Sequence, residues 1–197
     1  MCWGFTMSLW NKRNRSGFVI NEGKGKQAYI RDQLFSRPPS RSVLYSLQFA
    51  CLFADQRGSS SLDLNDLLAG LLVGARDRLS RFWSTPEAFE EFLEEHCDKA
   101  LPYVLRWIEL HESLQAGKRK QFIEGLKDTP AELKSIFWAA GEFSETRGKA
   151  SGCEKCKITA EELLFTLATN PSSVLVSVFK SSGLDLEKLG RFVLGKT

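Results

Sequence analysis

Two stretches decide the fold: Ile158–Ala168, ITAEELLFTLA, and Leu62–Leu72, LDLNDLLAGLL. Shifting the chain by 96 residues lays Leu67, Leu68 and Leu71 over Leu163, Leu164 and Leu167. Leucines at steps of three and four share one face of an α-helix. Each stretch also opens on a capping residue: Asp63 or Asn65 in the first, and Thr159 with Glu162 three residues later, a capping box, in the second.

The similarity extends outward from these two helices. Ser46–Gly58, SLQFACLFADQRG, lies over IFWAAGEFSETRG at a shift of 90, pairing Leu47 with Phe137, Ala50 with Ala140 and Phe53 with Phe143. Arg57-Gly58 falls on Arg147-Gly148, and a Gly in that place is expected to end a helix in the left-handed conformation. The change of shift from 90 to 96 predicts a six-residue insertion around Ser151–Cys156. Downstream, Leu79 and Phe82 fall on Leu175 and Val178, and Phe89 and Phe92 on Leu186 and Leu189 near a shift of 97. Helices that match in the same order read as an internal repeat.

The intervening sequence fits this frame. Pro86 suits the first turn of a helix bearing Phe89, Phe92 and Leu93, and Thr129-Pro130 predicts a cap and first turn for another. Val174–Phe179, although β-branched, places Val174, Val178 and Phe179 on one helical face before a Ser-Ser-Gly stop. No stretch reads as a strand. The fold class is therefore all-α, two pseudo-repeated four-helix units behind a basic N-terminal leader. The leader spans 1–41 and contains one short helical stretch, Lys26 to Phe35; Arg37-Pro38-Pro39-Ser40 breaks it from the double-repeat domain at 42–197. Repeat 1 covers about 42–97, connecting helices 98–130, and repeat 2 about 131–195.

A chain of 197 residues with 43% hydrophobic and 26% charged residues has the composition of a globular protein, which excludes disorder throughout. The longest near-apolar run, Val43–Ala54, falls short of the roughly 20 residues that span a bilayer, so no membrane partner is expected. The beginning of the chain, MCWGFTMSLWNKRNR, builds no export signal, and five cysteines without one predict reduced thiols in a cytoplasmic setting. In the leader, Lys12, Arg13, Arg15, Lys24, Lys26, Arg31, Arg37 and Arg41 face only Glu22 and Asp32. No nucleic-acid signature accompanies that charge, so nucleic acid is not the expected partner, although contact through the leader stays open as an alternative.

The capped helix Ile158–Leu167 and the run Val174–Val193, VLVSVFKSSGLDLEKLGRFV, carry a resemblance to the Clp amino-terminal domain, the double-repeat helical module of Clp-type AAA+ unfoldases. The likeness covers roughly 42–95 and 131–195. It is stronger in the second copy, because Trp83-Ser84-Thr85-Pro86 replaces the glycine turn in the first. The segment between the copies is longer than the family's linker. Gly23-Lys24-Gly25-Lys26 lacks the spacing of a phosphate-binding loop, so no ATPase accompanies the module. The resemblance implies a stand-alone docking platform that catalyses nothing: an adaptor or accessory protein whose partner is a Clp-type unfoldase, an adaptor or a client protein.

Cys153-Glu154-Lys155-Cys156 supplies two of the four ligands of a structural zinc, or a redox pair, so Cys153 and Cys156 are the candidate metal site and zinc the one candidate cofactor. A small metal- or redox-responsive regulator is accordingly the alternative function. His96-Cys97 completes a zinc set only if the fold brings it near. His96 otherwise reads as a solvated histidine beside the outer face formed by Glu87, Glu90, Glu91, Glu94 and Glu95, and neither it nor His111 has a catalytic partner at a recognisable spacing. Cys51 reads as a small buried hydrophobe, and Trp83, Trp107 and Trp138 as core residues. No catalytic residue is assigned. A bound peptide is expected in the groove between the repeats, along 43–54 and 133–143, with no individual peptide-binding residue identified.

Overall fold

The computed structural model describes residues 35–59, 61–97, 129–153, 156–170 and 175–195. The expectations for the leader before Phe35, for the connecting helices up to residue 128, and for Trp107 and His111 lie outside these residues. Among the described residues there are eight α-helices, one 3-10 turn and no strand. None of those helices is long and apolar enough to cross a membrane.

Helix α1, Arg41–Gln56, begins where the Ser40 hydroxyl accepts the Val43 N–H, and it buries Val43, Leu47, Ala50, Phe53 and Ala54. Gly58 follows it at φ +72°, as the sequence predicts. Helix α2, Leu64–Gly74, starts on Asp63, whose carboxylate accepts the Asp66 N–H at 2.8 Å while Asp66 accepts the Asp63 N–H at 3.0 Å. Gly70 and Gly74 let α2 lie directly on the α1 backbone. A Cβ on Gly70 would stand 2.3 Å from the Ser46 carbonyl oxygen.

A short helix α3, Arg76–Leu79, and the 3-10 turn Ser80–Phe82 lead to α4, Pro86–Cys97. The Thr85 hydroxyl caps α4 by accepting the Ala88 N–H at 3.1 Å. Helix α5, Ala131–Ser151, follows Thr129-Pro130, but Pro130 takes the cap position and no side chain caps it; Thr129 is buried instead. The expected stop at Arg147-Gly148 is also overturned. The helix runs on to Ser151, and Gly152 takes the left-handed φ of +68°. Gly148 serves packing instead, because a Cβ there would stand 2.7 Å from the Cys153 carbonyl oxygen.

Helix α6, Ala160–Thr169, carries the expected capping box: Glu162 accepts the Thr159 N–H at 2.8 Å and Thr159 accepts the Glu162 N–H at 3.4 Å. Helix α7, Leu175–Ser181, and α8, Leu186–Val193, are separated by Gly183 at φ +75°, and Asp185 caps α8 by accepting the Lys188 N–H. Helix α6 is the hub, packing on α5, α7 and α8 and also on α1, α2 and α3. All eight helices share one apolar core.

Two backbone bridges tie distant segments together. Pro39 pairs with Ile158, as Ser40 N–H donates to the Ile158 carbonyl at 2.8 Å and Ile158 N–H to the Pro38 carbonyl at 2.9 Å. Trp83 pairs antiparallel with Leu184, as Ser84 N–H donates to Gly183 and Asp185 N–H to Phe82.

Candidate functional site

Three polar constellations stand out, and each grows from a helix terminus. The first is a pair of arginine–carboxylate locks. Arg57, just past the end of α1, grips both carboxylate oxygens of buried Asp66 and reaches Asp63 at 3.0 Å. Arg147, in the last turns of α5, donates to Glu162 at 2.8 Å and to the Lys157 carbonyl at 3.0 Å. Burial pushes the carboxyls of Asp66 and Glu162 up, and the arginines oppose that rise. Each lock thus fixes the N-terminus of the next helix to the end of the one before it.

A cavity of about 320 Å³ opens beside the first lock, walled by Phe53, Arg57, Asp66, Ala69 and His96. His96 is not the solvated side chain expected from its Glu-rich helix. Its ring lies tilted against Phe92 with centroids 4.4 Å apart, its Nε2 is buried without a hydrogen-bond partner among the described residues, and burial pushes its pKa down. Arg57 and the cap already occupy the Asp66 carboxylate, so this cavity assembles no acid–base couple among the described residues.

The second constellation lies where α3 meets α6. Glu161 is fully buried, and its Oε1 accepts from Arg78 at 2.9 Å and from Arg81 at 3.2 Å. Both arginines remain about half exposed, at 47% and 49%. The Arg81 guanidinium lies 4.8 Å from the Phe82 ring centre and 4.6 Å from that of Phe192, which is itself 40% exposed. Lys188 donates to the Arg81 carbonyl at 2.6 Å. Sequence reading missed this group, because residues so far apart in the chain carry no common spacing.

The third is the cysteine pair. Cys153 is exposed and Cys156 buried, and the hydrogen bond between their thiols, followed by burial, pushes the Cys156 thiol up. His96 and Cys97 do not join them. Cys97 Sγ sits against α2, 3.9 Å from the Ala69 carbonyl oxygen, and no group of three metal-ligating side chains occurs among the described residues. Burial drives the thiols of Cys51 and Cys97 up to about 12, so both stay protonated and inert.

Two further expectations separate here. Trp83 is a core residue, in edge contact with Phe89 at 5.0 Å. Trp138 is not: it is 54% exposed, because the α5 stripe through Leu133, Ile136, Phe137 and Ala140 leaves the next residue about 100° round the helix. The stretch 43–54 offers little to a peptide, since Val43, Ser46, Leu47, Phe49, Ala50, Phe53 and Ala54 are all buried. On α4, Glu87, Glu91, Glu94 and Glu95 form the exposed face anticipated, and Glu90 pairs with Arg76. No family model matches the chain, and no curated protein or solved structure matches it either.

Proposed function

We propose that this chain is a non-catalytic protein-interaction module, an adaptor or accessory of a Clp-type chaperone or protease, built from two copies of one four-helix unit. The observation that carries the reading is the matched pair of locks. Arg57 with the Asp63/Asp66 box and Arg147 with the Thr159/Glu162 box use the same parts in the same order, and the six extra residues of the second fall between its arginine and its cap. Packing supports it too: α2 lies on α4 as α6 lies on α8. Caps and cores also agree in the last helices, Thr85 preceding Phe89 and Leu93 as Asp185 precedes Leu189 and Val193. This register, a shift of 100, differs from the shift near 97 that pairs Phe89 with Leu186 and Phe92 with Leu189.

A duplicated helical body with the aromatic side chains of Trp138 and Phe192 left at the surface suits holding other polypeptides. The test is affinity purification of the full chain from the cell that makes it, with quantitative mass spectrometry. Enrichment of a Clp-type AAA+ subunit or its protease near stoichiometry supports the reading. Recovery of the chain alone, together with a turnover activity of its own, overturns it.

One observation favours a second reading, a redox-responsive regulator: the paired thiols of Cys153 and Cys156 sit at the start of the loop that leads into α6. Mass spectrometry after equilibration in glutathione buffers tests it. A loss of two mass units confined to this pair supports that reading, and stable glutathione adducts on Cys153 with Cys156 left reduced overturn it.

A further inference from the structure

We propose that the Arg78–Glu161–Arg81 cluster, with Lys188 and the exposed ring of Phe192, is a docking site for an acidic polypeptide segment carrying an apolar side chain. The inference rests on the interaction reading and gives the partner its chemistry. Glu161 is wholly buried, yet a single carboxylate oxygen serves both guanidiniums. An arginine carries five N–H donors, so the contacts to Glu161 use only some of those on the half-exposed Arg78 and Arg81. The buried carboxylate holds the two heads in fixed positions, so little side-chain freedom is lost when they take an anion. Two guanidiniums share the single carboxylate of Glu161, which leaves that cluster positive, and Lys188, held on the Arg81 carbonyl, adds a third cation beside the Asp185 cap.

Phe192 turns a cationic patch into a peptide site. Its ring is backed by Arg81 and by an edge contact with Phe82 at 5.6 Å, and it remains 40% exposed. An aromatic ring braced in this way beside two guanidiniums matches a segment in which carboxylates flank a Phe, Leu or Met side chain. The cluster is also one-sided. By the matched register of α2 and α6, Asn65 stands where Glu161 stands, so the other half lacks the anchor. A duplicated scaffold that is charged at one of two equivalent places is specialised there.

Fluorescence anisotropy tests this with the full chain and a labelled twelve-residue peptide of Glu and Asp around a central Phe. Saturable binding is expected that weakens with added salt and disappears when Lys replaces the acids. Arg81→Gln and Phe192→Ala should each weaken it at least about fivefold, while Lys180→Gln on α7 should not change it. Phe192→Ala leaves both bonds to Glu161 intact, so it reports on the surface even if Arg81→Gln compromises folding. No binding, equal binding by Phe192→Ala, or stronger binding of a DNA strand of equal charge overturns the proposal. If the peptide fails while native-cell partners are recovered equally with wild type and Phe192→Ala, the surface is wrong and the adaptor reading stands.

Discussion

Gly70→Ala isolates the close approach of α1 and α2. On helix propensity alone the substitution should stabilise an interior helical position by about 1 kcal/mol. The neighbouring helix reverses the sign. The new Cβ would stand 2.3 Å from the Ser46 carbonyl oxygen, 2.6 Å from the Ala50 nitrogen and 2.9 Å from the Ala50 methyl. Carbon–oxygen contacts normally begin at about 3.3 Å, so the helices must part by roughly 1 Å. Two of the three obstacles are backbone, which has no rotamer to yield. Overpacking costs about 1–3 kcal/mol, and this site belongs at or above the upper end. A net loss of about 2 kcal/mol follows, equivalent to roughly 4–8 °C in Tm for a chain of this size. Thermal unfolding followed by circular dichroism measures it. A midpoint equal to or above wild type would refute the claim that α2 lies on the α1 backbone through Gly70.

Three further outcomes are expected. Arg147→Met strands the buried Glu162 carboxylate and should cost about 3–5 kcal/mol by urea unfolding, whereas Arg147→Met combined with Glu162→Leu should recover much of that loss. His96 is held below its ordinary value of 6.5 by burial, so the stability it supports is present above that pH and is lost as pH falls through its lower folded value; urea midpoints between pH 7 and 5 should drop in wild type and flatten in His96→Asn. Gly152→Ala meets open space but a left-handed backbone, so it should cost only about 1–2 kcal/mol, and unchanged stability would show that α5 ends elsewhere.

Elements specified by neighbours in sequence were legible. Thr159 and Glu162 stand three residues apart and form their box; Asp63 caps α2; Gly58 and Gly183 take left-handed turns. Arg147-Gly148 misled because a glycine permits a stop without requiring one, and here it makes room for the returning loop. Trp138 misled because an aromatic one step off an apolar stripe looks like core until the neighbouring helices are in place. The candidate docking cluster was invisible for another reason. Glu161 reads as an ordinary first-turn acid, and only the crossing of α3 over α6 brings Arg78 and Arg81 to it.

The pairing of Pro38–Ser40 with Ile158 has a consequence for synthesis. The segment that launches α1 leaves the ribosome first, yet its backbone partner belongs to the approach to α6, made much later. Until that residue emerges, the earlier half lacks both this strand-like seam and the hub helix that covers its core. Folding of the earlier half therefore waits for synthesis to pass α6, and a nascent fragment ending at α4 should be a ready target for proteases and holding chaperones.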